Sequence, residues 1–170
     1  RQLLEARLSR LVPRVRSSET AAGVILSVVV GVIAGLGAVL FRWMISSFQS
    51  LFFDGGGNVL AFLGQYYVIL IPAAGGLLVG PLIYFFAREA RGHGVPEVME
   101  AVALKGGRIR PRVSVVKALA SSICIGSGGS AGREGPIVQI GSSAGSAIGQ
   151  WFKLSDEGIK TLVACGAAGG

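Results

Sequence analysis

The chain has 170 residues, 51% of them hydrophobic and only 15% charged, with a formal charge of +7. Soluble domains carry roughly 25% charged residues, so this composition excludes a disordered tail, argues against a soluble enzyme and points to lipid. Gly supplies 27 residues, far above its usual share of roughly 7%.

In chain order, Leu4, Leu8, Leu11 and Val15 repeat at helical spacing while Arg7, Arg10 and Arg14 fall off that face. That pattern predicts an amphipathic helix over residues 1–18 on the inner membrane surface, with Pro13 near its end. Glu19-Thr20 then start a first span running to about Ser47, with Gly31, Gly35 and Ala38 or Val39 along one face. The stretch Ala21 to Phe41 holds no charge, which exceeds the roughly 18 apolar residues that suggest a crossing helix. A second span is expected from about Val59 to Arg88, uncharged from Gly55 to Ala87. Pro72 and Pro81 predict kinks in it, and Gly76 and Gly80 mark its expected packing face.

Basic residues surround these spans unevenly. Arg1, Arg7, Arg10, Arg14 and Arg16 precede the first, Arg88, Arg91, Lys105, Arg108, Arg110, Arg112 and Lys117 follow the second, and no Lys or Arg lies between Trp43 and Ala87. The positive-inside rule makes the N-terminus cytoplasmic and puts the Asp54-to-Asn58 turn outside. The charge is therefore a topology signal and not a nucleic-acid footprint. The sequence opens on Arg1 and stops inside an apolar run at Gly170, so it is expected to be part of a longer membrane protein. Cys124 and Cys165 read as small buried residues rather than a disulfide.

After the second span comes a break, Arg91-Gly92-His93-Gly94-Val95-Pro96, then a short helix from Glu97 to Leu104. A basic loop, Lys105 to Arg112, leads to a helix of about Val113 to Ile125. A second break, Gly126 to Pro136, opens a helix to about Phe152 that carries Gly141, Gly145 and Gly149 for close packing. Ser155, with Asp156 and Glu157, reads as the cap and acidic first turn of a last helix.

The two breaks share a grammar, a glycine-rich turn followed by Pro96 or Pro136 at the expected first helical position. Pro is tolerated there because that N–H has no intrahelical partner. The remaining first-turn N–H groups make an anion site, and two such ends in a bundle would converge on a dehydrated anion. Amide dipoles hold an ion weakly enough to release it. Glu134, at the start of the second helix, could occupy that site with its own carboxylate and leave on protonation. From spacing alone, a carboxylate fixed by the helix dipole or a salt bridge with Arg133 fits equally well.

Gly132-Arg133-Glu134-Gly135-Pro136, continued by Val138-Gln139-Ile140-Gly141, matches the G-[K/R]-E-G-P motif of the CLC chloride channels and anion–proton antiporters. Gly92-His93-Gly94-Val95-Pro96-Glu97 resembles the G-S-G-I-P-E motif of that family. The resemblance covers essentially the whole chain. It implies an all-α, multi-pass membrane fold of tilted and broken helices: residues 1–18 as the cytoplasmic amphipathic helix and 19–170 as the first part of a transmembrane domain built from inverted repeats. It further implies a homodimer with one pore per subunit, chloride or a similar anion and sometimes protons as cargo, no cofactor, and Glu134 as the gating and proton-transfer group. The implied anion-binding residues are Gly92, His93, Gly94, Val95, Pro96, Gly132, Arg133, Glu134, Gly135 and Pro136. A third filter motif, a pore tyrosine and an internal proton-transfer glutamate are expected beyond Gly170. His93 stands where chloride-selective members commonly have Ser; taken alone it turns to a backbone carbonyl, and with the resemblance it faces the anion.

Two other readings fit parts of the sequence. Gly126-x-Gly128-x-x-Ala131 fits a dinucleotide fingerprint, which would make the chain a soluble nucleotide-binding enzyme if a strand ended at Gly126. A transporter of small organic anions would need a second convergent polar cluster, which the sequence lacks. No nucleophile pair or metal-ligand cluster stands out, so the expectation is a non-enzymatic protein without a metal.

Overall fold

The computed structural model describes the backbone of residues 2–55, 66–86 and 94–170, and the side chains of these residues from 22 onward except Tyr67. The described residues form helices α1 (Gln2–Ser50), α2 (Tyr67–Phe86), α3 (Val95–Leu104), α4 (Pro111–Gly126), α5 (Glu134–Trp151) and α6 (Asp156–Gly169). A single π-helical turn, Leu51–Gly55, finishes α1.

The backbone of α1 continues as one helix through Pro13 and through the residue 18/19 boundary expected between a surface helix and a span. At ~1.5 Å per residue its 49 residues reach well past a hydrocarbon core of ~30 Å. Two segments are long and apolar enough to cross, Ala22–Gly55 and Val68–Phe86, and only 17% and 11% of their most apolar windows are buried. A core helix of a soluble protein would be mostly covered; here Val24, Val28, Leu36, Val39, Leu70 and Leu77 all face outward. Ser27, Ser47 and Ser50 each donate their hydroxyl to the carbonyl four residues earlier, at 2.9, 2.9 and 3.1 Å. Their polarity is thereby met within the helix, as lipid exposure requires.

The centre of the bundle is α5, sandwiched between α1, α4 and α6. Its glycines form the expected stripe. A Cβ on Gly141 would overlap the Gly166 carbonyl, one on Gly145 the Leu162 carbonyl, and one on Gly149 would lie 3.0 Å from Ile159. α5 and α6 thus touch backbone to backbone, where dispersion and packing replace the hydrophobic effect. Gly31, Ala34 and Gly37 of α1 complete the contact, against Gly169, Gly141 and Ile140.

For α2 the packing face differs from the expectation. Gly76 and Gly80 have open space around them, while Gly75 abuts Ser127 so closely that a Cβ there would overlap its side chain. The reason is that α2 is apolar on every side, so its sequence carries no periodic signal for the buried face. Pro72 and Pro81 do lie inside it, and Pro72 meets Gly128 beyond the end of α4.

α3 runs beside α5 in the same direction. Its Val98 and Ala101 pack with Ile109, Ile159 and Val163. The following turn takes left-handed backbone at Gly106 and Gly107 (φ 61° and 79°) and is clamped by the buried Ser146, whose hydroxyl donates to Gly107 O (2.7 Å) and accepts from the Ile109 N–H (2.8 Å). Arg108 pairs with Asp156 at 3.2 Å, an exposed contact worth at most about 1 kcal/mol. Lys105, Arg108, Arg110 and Lys153 therefore gather at one end of the bundle, around the N-termini of α4 and α6.

Ser155 caps α6 as expected, accepting from the Gly158 N–H at 3.3 Å. Ahead of it, Lys153 takes φ 52° with Leu154 N–H bonded to Gly149 O at 3.0 Å and Lys153 N–H to Gln150 O at 3.1 Å, a Schellman close that ordinarily uses Gly. A left-handed non-glycine residue costs on the order of 1 kcal/mol. Lys153→Gly is therefore expected to stabilise the purified protein by about that amount, read as a raised thermal midpoint in detergent; an unchanged or lowered midpoint contradicts it.

Candidate functional site

Two helices begin where the two breaks end. α3 starts at Val95, two residues before the expected Glu97, with Gly94 as its N-cap in left-handed backbone (φ 86°), Pro96 as its second residue rather than its first, and Val98 N–H bonded to Gly94 O at 3.1 Å. α5 has Arg133 as its N-cap, and its first intrahelical bond runs from Ile137 N–H to Arg133 O at 3.2 Å. Pro136 is accordingly the third residue of its helix and not the first; Pro fits there for the same reason, since none of the first four N–H groups has an intrahelical acceptor. Neither start is capped by the side chain of its N-cap residue, in contrast to α6 with Ser155. The first-turn donors at Val95, Glu97, Glu134 and Gly135 have no intrahelical acceptor and are left for another one.

The two starts are in backbone contact. A Cβ on Gly94 would lie 2.8 Å from the Gly135 carbonyl oxygen and 3.2 Å from Gln139 Oε1. Both the sign of φ and the closeness demand glycine. Glu134 Oε2 fills the space a side chain on Gly132 would take, so the carboxylate folds back over the loop entering α5. No Arg133–Glu134 salt bridge forms among the described residues, and both side chains are exposed. Gly94 thus meets Gly135, with Val95 and Pro96 next to the one and Gly132, Arg133, Glu134 and Pro136 next to the other along the chain, while Gly92 and His93 lie outside the described residues.

Beneath this junction sit groups not singled out as site residues by sequence. Gln139 is completely buried and donates from Nε2 to Glu97 Oε2 at 2.9 Å, tying the second turn of α5 to the first turn of α3 across 42 residues of chain. Lys117 of α4, also buried, is close enough for its charge to be attracted by Glu97. A cavity of about 170 Å³ opens beside them, lined by Glu97, Gln139, Val113 and, toward the basic end, Lys105, Arg108 and Arg110. The available signal was isolation: Gln139 and Lys117 are lone long polar side chains in otherwise small or apolar helical runs.

The nucleotide reading is overturned. Gly126 ends a helix and follows no strand, and α5 starts at Glu134, outside the Gly126-to-Ala131 run. A phosphate-binding loop needs a helix starting within the glycines. Among the described residues no group of His, Cys, Asp and Glu is arranged to hold a metal.

A family model described as "voltage gated chloride channel" matches residues 75–170. A putative ClcB-like chloride channel protein of Ralstonia nicotianae is 39% identical over 106 residues, covering 60% of this chain and 25% of the relative. Voltage-gated ClC-type chloride channels named ClcB from Yersinia pseudotuberculosis and Escherichia coli are 32% and 33% identical over 152 residues, 86% of this chain and 36% of each relative. The chain thus spans a quarter to little more than a third of the length of these relatives.

Proposed function

Because this chain belongs to the voltage-gated chloride channel family, we propose that the protein carries small inorganic anions, chloride foremost, across a membrane along a path lined by the N-termini of α3 and α5. The observation that carries the reading is the pair of helix starts without side-chain caps, brought into backbone contact at Gly94 and Gly135. An anion there meets several N–H donors and no obligatory full charge, so it binds without being trapped. Val95, Pro96 and Arg133 stand at the same two helix starts, and Gly92 and His93, just before Gly94 in sequence, complete the proposed path.

Glu134 is the proposed gate. As a carboxylate over the α5 start it competes with the transported anion for the same positive helix end, and as a neutral acid it withdraws. In a protein that exchanges anions for protons, that movement also carries the proton. The basic end of the bundle is assigned to the cytoplasm, into which the basic N-terminal part of the continuous helix α1 extends, and the working unit is taken as a homodimer with one path per subunit.

The test is anion and proton flux from the purified protein in liposomes under a chloride gradient, repeated with nitrate and fluoride. Proton movement locked to anion movement identifies an antiporter, and anion flux alone identifies a channel. No flux of any tested anion overturns the proposal.

A further inference from the structure

Gln139 holds a position that the transport reading does not by itself explain. It is fully buried, its Nε2 is bonded to Glu97 at 2.9 Å, and its Oε1 has no hydrogen-bond partner among the described residues. An ionised carboxylate only accepts, so Glu97 dictates which way the amide points: NH₂ toward α3's first turn and carbonyl oxygen away from it. That oxygen then rests 3.2 Å from where a Cβ on Gly94 would stand, at the spot where the two helix starts touch. A buried unpaired acceptor is unfavourable and needs a reason.

Resting on the anion-transport reading, we propose that Gln139 is a positioning residue that sets the gap between the α3 and α5 starts and thereby the preference among anions of equal charge. The bond to Glu97 is the only side-chain hydrogen bond joining the two helices among the described residues, from the second turn of α5 to the first of α3. It lies one turn below the Gly94–Gly135 contact, so its length fixes how far the N–H donors on either side can spread. Anions of the same charge feel a nearby charge alike, and what separates chloride from nitrate is size and shape against that gap. The unpaired Oε1 adds a negative edge against Gly94, which keeps an anion from settling deeper than the first-turn amides.

The test replaces Gln139 in the purified protein and reads the chloride-to-nitrate flux ratio in liposomes beside the thermal midpoint in detergent. Gln139→Met keeps the volume and removes both amide groups; the double variant Glu97→Gln with Gln139→Glu restores a donor–acceptor pair with its direction reversed. The expected result is a ratio changed about threefold or more in Gln139→Met, with the double variant returning it to within about twofold of wild type. A folded Gln139→Met with the wild-type ratio overturns the proposal, as does a double variant that recovers the midpoint but not the ratio, since either makes Gln139 structural only. Should Gln139→Met not fold, Gln139→Asn, which shortens the reach by one methylene, is judged by the same ratio. Wild-type protein that moves no anion overturns the transport reading itself, and the selectivity role falls with it; wild-type flux with unaltered ratios in the variants overturns the selectivity role alone.

Discussion

Gly141→Leu is expected to yield no folded protein, and Gly141→Ala to lose about 1–3 kcal/mol, the usual cost of forcing added atoms into a packed contact. The cause is geometric. On Gly141 even a methyl group would overlap the Gly166 carbonyl, which is backbone and has no rotamer through which to yield. Separating α5 from α6 to admit it would also part Gly145 from Leu162 and Gly149 from Ile159. In lipid no hydrophobic effect pulls the helices back together, so the loss is cooperative along the seam. Gly76→Ala is the matched comparison, because nothing among the described residues approaches that position; it should be neutral or gain up to about 1 kcal/mol from helix propensity. Size-exclusion profiles and thermal midpoints in detergent decide it, and equal behaviour of the two alanine variants would refute the account of the seam.

The second large effect belongs to Glu134. With alanine there, the carboxylate that lies over Gly132 at the α5 start is gone, and nothing on that loop can alternate between competing with an anion and withdrawing. Anion flux is expected to persist while proton movement falls to the background of empty liposomes; in a protein without proton coupling, the pH dependence of opening should vanish instead. Glu134→Gln should act the same way, because the neutral amide mimics the protonated acid. The measurement is paired anion and proton recording on each variant. Flux, coupling and pH response all equal to wild type would remove Glu134 from the gate.

Local features of this chain were readable in sequence because each is encoded within a single run of residues. The Ser155 cap with its acidic first turn, the glycine at the start of α3, the glycine-rich loop before α5, and the Gly141, Gly145, Gly149 stripe all needed only spacing and the chemistry of one helix end. The position of Pro136 was misjudged by two residues because every site in a first turn lacks an intrahelical acceptor, so Pro marks the turn without marking its first residue. The face of α2 was illegible for a different reason: with apolar residues all round, Gly75, Gly76 and Gly80 are equivalent until Ser127 is set against one of them. The Glu97–Gln139 bond depends on the parallel course of α3 and α5 and on nothing local to either. The juxtaposition of the two helix starts was anticipated from their shared grammar; the brace beneath them was not.

The glycine seam also has a consequence for biogenesis. Neither α5 nor α6 is among the segments apolar enough to cross lipid alone, whereas Ala22–Gly55 of α1 is. The turn joining α5 to α6 is already closed by local bonds, the Lys153 and Leu154 amides on one side and the Ser155 cap on the other, so the pair can leave the ribosome as a hairpin. That hairpin still presents buried serines and bare backbone, and its stable partner is the Gly31, Ala34 and Gly37 face of α1. Since synthesis runs from the N-terminus, α1 is in place first and serves as the template on which the hairpin enters. Chain order is thus part of how this protein is built, and moving the α1 coding segment behind that of α6 would strand the hairpin at the translocon with its polar groups facing lipid.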